Sequence, residues 1–192
     1  MMKTITTHDR KVLLRDIGHQ NIIFDLKGVL LIQDNPYDLI AKTMQNHPLE
    51  PSFKPVNLAL SISLLKNCKD AGHRLFVLSN LSWTKYNQIQ ENPEIQSLLS
   101  YFDDIILSDM IGYRKPNPEI FTYLCQKHNL DPADCIFIDD QLENLKGAHA
   151  AYINKTILCQ NFDLKKVRIR LIEFGVLPNS CIQTINLPTG HA

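Results

Sequence analysis

Residues 21–32, NIIFDLKGVLLI, decide how the chain is read. Asn21–Phe24 run apolar into the carboxylate of Asp25, the chain turns at Gly28, and it continues apolar through residues 29–32. A short apolar run closed by a turn signal has the form of a buried strand of a parallel sheet, a form that periodicity alone shares with a buried helix segment. As a strand it places Asp25 at its carboxyl end, where open α/β sheets bind ligands. An aspartate there is suited to attack phosphorus and form an aspartyl-phosphate. On this segment alone the plainer role, ending a strand and capping the next turn, also stands.

Outward from this segment, apolar runs and helical patterns alternate. Residues 56–71 predict a helix with Leu58, Ile62 and Leu65 on one face, closed by Gly72. Arg74–Ser79 predicts a strand, residues 83–101 a helix broken near Pro93, and Asp104–Leu107 a short strand. A helix carrying Ile120, Phe121 and Leu124 runs to about His128. It is followed by a strand at 135–138, a helix at 142–151, a strand at 155–158 and a helix at 164–174. Alternation of this kind predicts an α/β chain with a parallel sheet covered by helices on both faces. A partial helical pattern at 8–17 marks an N-terminal extension, 1–20. Residues 33–55 are polar and proline-punctuated and read as an insertion with one short helical stretch at 37–45, and 176–192 read as a polar tail.

The 192 residues suit one domain, and basic and acidic residues balance at 20 each. That balance provides no broad positive field for nucleic acid or an anionic membrane, so no nucleic-acid partner is expected. The five cysteines, Cys68, Cys125, Cys135, Cys159 and Cys181, are scattered without a close pair and suggest reduced core residues rather than a disulfide framework or zinc site. With a polar, charged start and no run of membrane-spanning length, the expectation is a soluble, cytoplasmic protein.

The informative polar residues fall at predicted strand ends or just beyond: Asp25 to Lys27, Ser79-Asn80, Arg114-Lys115 and Asp139-Asp140. In a parallel sheet those ends share one edge. Carboxylates from two strands form a hard oxygen site suited to Mg²⁺, and a hydroxyl, an amide and an ammonium suit the remaining oxygens of a phosphate. Singly, each cluster has an ordinary reading: Ser79-Asn80 as a helix N-cap pair, Lys115 as a solvated loop lysine, Asp139-Asp140 as an N-cap. Their joint occurrence, each on its own strand end, points to phosphoryl transfer.

With these residues in place, the chain resembles the haloacid dehalogenase (HAD) superfamily of hydrolases over about residues 20–175. FDLKGVL, LSN, GYRKPNPEIF and IFIDDQLENLKGAHAAY resemble its four motifs in order. The resemblance implies a Rossmann-like core over 21–175, with a small cap inserted after the first strand at about 33–55. It also implies a Mg²⁺-dependent phosphatase acting through an aspartyl-phosphate. By the same resemblance Asp25 is the nucleophile and a metal ligand, and Ser79, Asn80 and Lys115 form the substrate-binding set, with Asn80 in a supporting place. The metal site is completed by Asp139, Asp140 and the backbone carbonyl of Lys27.

Family phosphatases usually carry a second Asp where this chain has Lys27. There it protonates the leaving group and later deprotonates water. A lysine ammonium near carboxylates keeps its proton at neutral pH, which makes it a poor acid and no base. The dehalogenase branch also lacks this Asp but uses no metal, and so has no need of Asp139-Asp140. A third possibility is a non-catalytic protein that binds a phosphorylated ligand, with Lys27 stabilising the bound phosphate. The partner is accordingly expected to be a phosphorylated substrate, small molecule or protein. Roughly twenty-five residues remain for a cap, room for one or two short helices at ~1.5 Å per residue, so an open site is expected.

Overall fold

The computed structural model describes residues 18–33 and 53–181. The pattern at 8–17, most of the insertion (34–52) and the end of the tail (182–192) lie outside the described residues. The core strands are β1 (Asn21–Phe24), β4 (Arg74–Ser79), β5 (Asp104–Leu107), β6 (Cys135–Asp139) and β7 (Lys155–Leu158). They form one sheet in the order β5-β4-β1-β6-β7, and every neighbouring pair is parallel. Counting outward from β1 reproduces the doubly wound arrangement, in which the strand order reverses at β1 and opens a crevice at the carboxyl ends.

Seven helices are described: α1 (Leu58–Asp70), α2 (Trp83–Ile89), α3 (Pro93–Leu99), α4 (Ser108–Ile111), α5 (Pro118–His128), α6 (Leu142–Ala150) and α7 (Leu164–Glu173). Successive strand residues point to opposite faces, and both faces are buried, which is why the strands read as continuous apolar runs. Ile22, Phe24, Val77 and Ile138 pack with Leu64 and Leu65 of α1 and Val167 and Leu171 of α7. Ile23, Phe76, Leu78 and Phe137 pack on the other face with Phe121 and Leu124 of α5 and Ala148 of α6. Asn57 caps α1 by accepting from the Leu60 N–H at 3.0 Å, and Gly72, at φ +86°, takes the left-handed conformation just past its end.

The insertion begins and ends in a two-stranded antiparallel ribbon, β2 (Leu31–Gln33) with β3 (Phe53–Pro55). The short helix α4 does not appear in the sequence reading; four residues carry too little periodicity to announce it. Val176 and Leu177, read as the start of a polar tail, are buried against the core. The buried His73 fastens that segment. Its Nδ1 accepts from the Gln20 N–H at 3.2 Å, and its Nε2 lies 2.7 Å from the Val176 carbonyl. Since the amide can only donate and the carbonyl only accept, the ring is neutral with its proton on Nε2. Cys68, Cys125, Cys135 and Cys159 are buried thiols. Among the described residues no helix is long and apolar enough to cross a membrane.

Candidate active site

Three adjacent strands deliver the central side chains. The β1 ladder continues one residue beyond the strand, with the Asp25 N–H donating to the Ile138 carbonyl at 2.9 Å, so Asp25 lies alongside Asp139 at the end of β6. Ser79 ends β4 on the other side of β1. Lys115 reaches this edge from the loop before α5 and bridges the two carboxylates, its Nζ 2.7 Å from both Asp25 Oδ1 and Asp139 Oδ2. All four residues are buried.

Burial pushes Asp25 upward to about 6; Lys115 opposes this, and the negative charge of Asp139 adds to it. For Lys115 burial pulls the other way, but the two carboxylates outweigh it and leave the ammonium harder to deprotonate than usual. Lys115 is therefore a fixed cation. Its ammonium also lies 5.3 Å from the centre of the Phe137 ring.

Asp139 is held from all sides. Its Oδ1 accepts from the Gln141 N–H at 2.8 Å and from Asn144 Nδ2 at 2.9 Å, both at the entrance to α6. Asp140 completes a cluster in which oxygens of Asp25, Asp139 and Asp140 all lie within 4.8 Å of one another. Its Oδ1 is buried without a hydrogen-bond partner, and burial, with Asp139 beside it, raises its pKa. Three hard oxygen donors, one of them buried and unsatisfied, fit a small divalent cation such as Mg²⁺.

Two glycines make this approach possible. Gly28 sits at φ +97°, and a Cβ there would come within 2.3 Å of the Asp140 carboxylate. On α6, a Cβ at Gly147 would lie 1.9 Å from the Pro116 carbonyl, so the missing side chain lets the loop behind Lys115 sit against the helix.

Asn80, expected in a supporting place within the substrate-binding set, lines the cleft, and its amide is committed to Lys115: Nδ2 donates to the Lys115 carbonyl and Oδ1 accepts from the Lys115 N–H. The Ser79 Oγ accepts from the Leu81 N–H at 3.3 Å. Lys27 is exposed and lines the cleft, while its backbone bridges to Leu31. The cleft has a volume of about 450 Å³, and Ser82, Lys85, Arg114, Gln33 and Phe53 also face it. Gln141, Asn144 and Lys85 were not singled out from the sequence. The first two lie within the motif quoted around Asp139, where the Asn144 side-chain amide could have been matched to the need to hold a buried carboxylate; Gln141 contributes only its backbone N–H.

A doubly wound parallel sheet with carboxylates from two strands and a buried lysine at its switch point defines a Rossmann-like α/β protein with a polar site at its carboxyl edge. A family model described as haloacid dehalogenase-like hydrolase matches residues 58–151. A sesquiterpene phosphatase of Aspergillus oryzae is 32% identical over 88 residues, 46% of this chain and 43% of that protein. The chain thus spans less than half the length of this curated relative. Among solved structures, a HAD-superfamily hydrolase from Ehrlichia chaffeensis superposes with a TM-score of 0.58 at 18% identity, covering 88% of this chain and 99% of that one. A HAD family enzyme from Bacteroides thetaiotaomicron, solved with magnesium and inorganic phosphate, gives 0.57 at 19% identity over 73% and 94%. These likenesses show the fold.

Proposed function

We propose that this HAD-like protein is a Mg²⁺-dependent phosphatase that hydrolyses phosphate monoesters through a phosphoryl intermediate on Asp25. The observation that carries the reading is the convergence of Asp25, Asp139 and Asp140 within 4.8 Å, with Lys115 2.7 Å from the first two. The three carboxylates, with the Lys27 carbonyl, would hold the metal, which when bound offsets negative charge on the phosphoryl oxygens.

Asp25 attacks phosphorus, and the bond from phosphorus to the leaving oxygen breaks with its electron pair passing to that oxygen. Lys115 and the Ser79 hydroxyl hold the phosphoryl oxygens, and Asn80 acts by holding Lys115 in place. Water then attacks the phosphorus of the intermediate, freeing Asp25 and inorganic phosphate. With Lys27 where family phosphatases carry the acid, the leaving oxygen departs as an anion. Aryl phosphates, as small molecules or as phosphotyrosine in a protein, are accordingly the proposed substrates. The four buried thiols, Cys68, Cys125, Cys135 and Cys159, support a cytoplasmic location.

The exposed Lys27 favours a second reading, a non-catalytic protein that binds a phosphorylated ligand. The three-carboxylate cluster counts against the metal-free dehalogenase. Turnover of p-nitrophenyl phosphate, with and without Mg²⁺, separates these readings. Hydrolysis that needs the metal and disappears in Asp25→Asn supports the phosphatase. Tight phosphate binding without any turnover supports the binding protein, and metal-independent release of halide from a haloacid supports the dehalogenase.

A further inference from the structure

We infer that the cleft takes a phosphorylated small molecule whose organic part carries a second anionic group, a carboxylate or a further phosphate. This rests on the reading of Asp25 and Lys115 as the phosphoryl site and adds the substrate class. Among the described residues four cations, Lys27, Lys85, Arg114 and Lys115, and a single carboxylate, Asp25, line the cleft. Lys115 belongs to the inner site, its ammonium 2.7 Å from both Asp25 and Asp139. The other three form the surplus. They come from separate segments, the turn after β1, helix α2 and the loop after α4.

The surplus is local. The chain has no formal net charge; among the described residues Lys66, Lys69, Lys127, Lys146 and Arg170 each sit against a carboxylate, and the other cations without an ion pair, such as Lys54, Lys165 and Lys166, stand outside the cleft lining. Among the described residues Lys27, Lys85 and Arg114 form no ion pair. Like charges around a concave site repel one another until an anion enters, and a cleft of one sign concentrates anionic ligands. Ser79 and Lys115, with a metal that Asp25, Asp139 and Asp140 would hold, would match the phosphoryl group. The outer cations therefore meet the part of the substrate that leaves. At about 450 Å³ the cleft suits a small molecule.

The test compares 3-carboxyphenyl phosphate with 3-carbamoylphenyl phosphate, which matches it in shape and lacks the charge, and 1,3-phenylene bisphosphate provides the second-phosphate arm. Binding to full-length Asp25→Asn is measured by calorimetry with Mg²⁺, and kcat/KM is measured in the wild type. The expected result is at least tenfold preference for one or both anionic compounds at low salt, shrinking as salt rises and reduced severalfold in Lys85→Gln and Arg114→Gln. The bisphosphate and carboxylate arms identify which anion is preferred. Equal affinity for charged and uncharged compounds, no binding of any of them, or a preference unmoved by both substitutions overturns the inference. Selective binding in Asp25→Asn with no wild-type hydrolysis overturns the phosphatase reading and leaves this one standing.

Discussion

Asn80 and Lys115 hold each other by two reciprocal hydrogen bonds: the Asn80 amide donates to the Lys115 carbonyl at 2.8 Å, and its oxygen accepts from the Lys115 N–H at 2.9 Å. Asn80 thereby fixes the loop from which the Lys115 ammonium spans Asp25 and Asp139. Removing one partner of a buried bond costs about 1–3 kcal/mol, and about 1.4 kcal/mol of barrier is tenfold in rate. Asn80→Ala is expected to lower kcat/KM at least tenfold, and Asn80→Asp, which keeps the acceptor and loses the donor, to recover part of it. Steady-state kinetics on variants with matched melting curves check this. Unchanged kinetics in Asn80→Ala would remove Asn80 from the positioning of Lys115.

Gly28 faces the Asp140 carboxylate so closely that no side chain fits. Gly28→Ala must move Asp140 and also place a side chain at φ +97°, at a cost of about 1–2 kcal/mol. The variant is expected to fold and to bind Mg²⁺ at least tenfold more weakly. Metal titration followed by calorimetry reads this directly, and wild-type metal affinity would refute the crowding argument.

Metal binding is also open to a test independent of turnover. A ligand at 100 times its Kd stabilises the folded state by about 2.7 kcal/mol, roughly 5–10 °C in Tm for a chain of this size. Mg²⁺ is expected to raise the wild-type Tm by that order, EDTA to reverse it and abolish hydrolysis, and Asp139→Asn to lose the shift. A Tm indifferent to Mg²⁺ in the wild type would mean that the carboxylate cluster holds no ion.

His73 makes stability depend on pH. Burial, with His19 nearby, lowers its folded pKa, only partly opposed by the bond to the Val176 carbonyl. Below the unfolded value of about 6.5 the unfolded chain takes up a proton that the folded chain refuses, so stability falls as pH drops from 6.5 through the lowered pKa. His73→Gln should be less stable at pH 7.5, losing about 1–3 kcal/mol of buried hydrogen bonding, and should lose less further stability between pH 7 and 5. Urea melts across that range check the slope, and parallel slopes for variant and wild type would exclude His73 as its source.

On the proposed mechanism, Lys27 sets the dependence on the leaving group. Without an acid to protonate the departing oxygen, alkyl phosphates should be cleaved at least a hundredfold more slowly than aryl phosphates, about 2.7 kcal/mol of barrier. Lys27→Asp should raise alkyl turnover more than aryl. The expectation fails if kcat/KM is similar for the two classes in the wild type, or if their ratio is the same in the variant.

The strands and most of the helices were legible because both faces of the sheet are buried. Runs such as Ile22, Ile23 and Phe24, and the spacing of Ile120, Phe121 and Leu124, leave a periodic signature whatever else the chain does. The candidate residues at the strand ends were legible for a related reason. A carboxylate directly after a buried apolar run is costly unless something pairs with it, so Asp25 and Asp139-Asp140 stood out against their surroundings.

Spacing along the chain could not show what depends on distance across it. That Lys115 lies between Asp25 and Asp139, residues 90 and 24 positions away, is settled by the strand order β4-β1-β6 and by a loop resting on Gly147. Asn80 offered a side chain for substrate, and only the fold commits it to the Lys115 backbone. Val176 and Leu177 looked like tail because a short apolar pair has no period, yet His73 draws them into the core. Lys85 was one exposed lysine among many until its helix turned it into the cleft. The sequence by itself determined the alternating α/β fold and the chemical groups available at its edge, because burial constrains residue type locally. Which groups meet, and with what charge balance, was decided only by tertiary packing, because hydrogen bonds and Coulomb interactions act across a few ångströms of space, however many residues lie between.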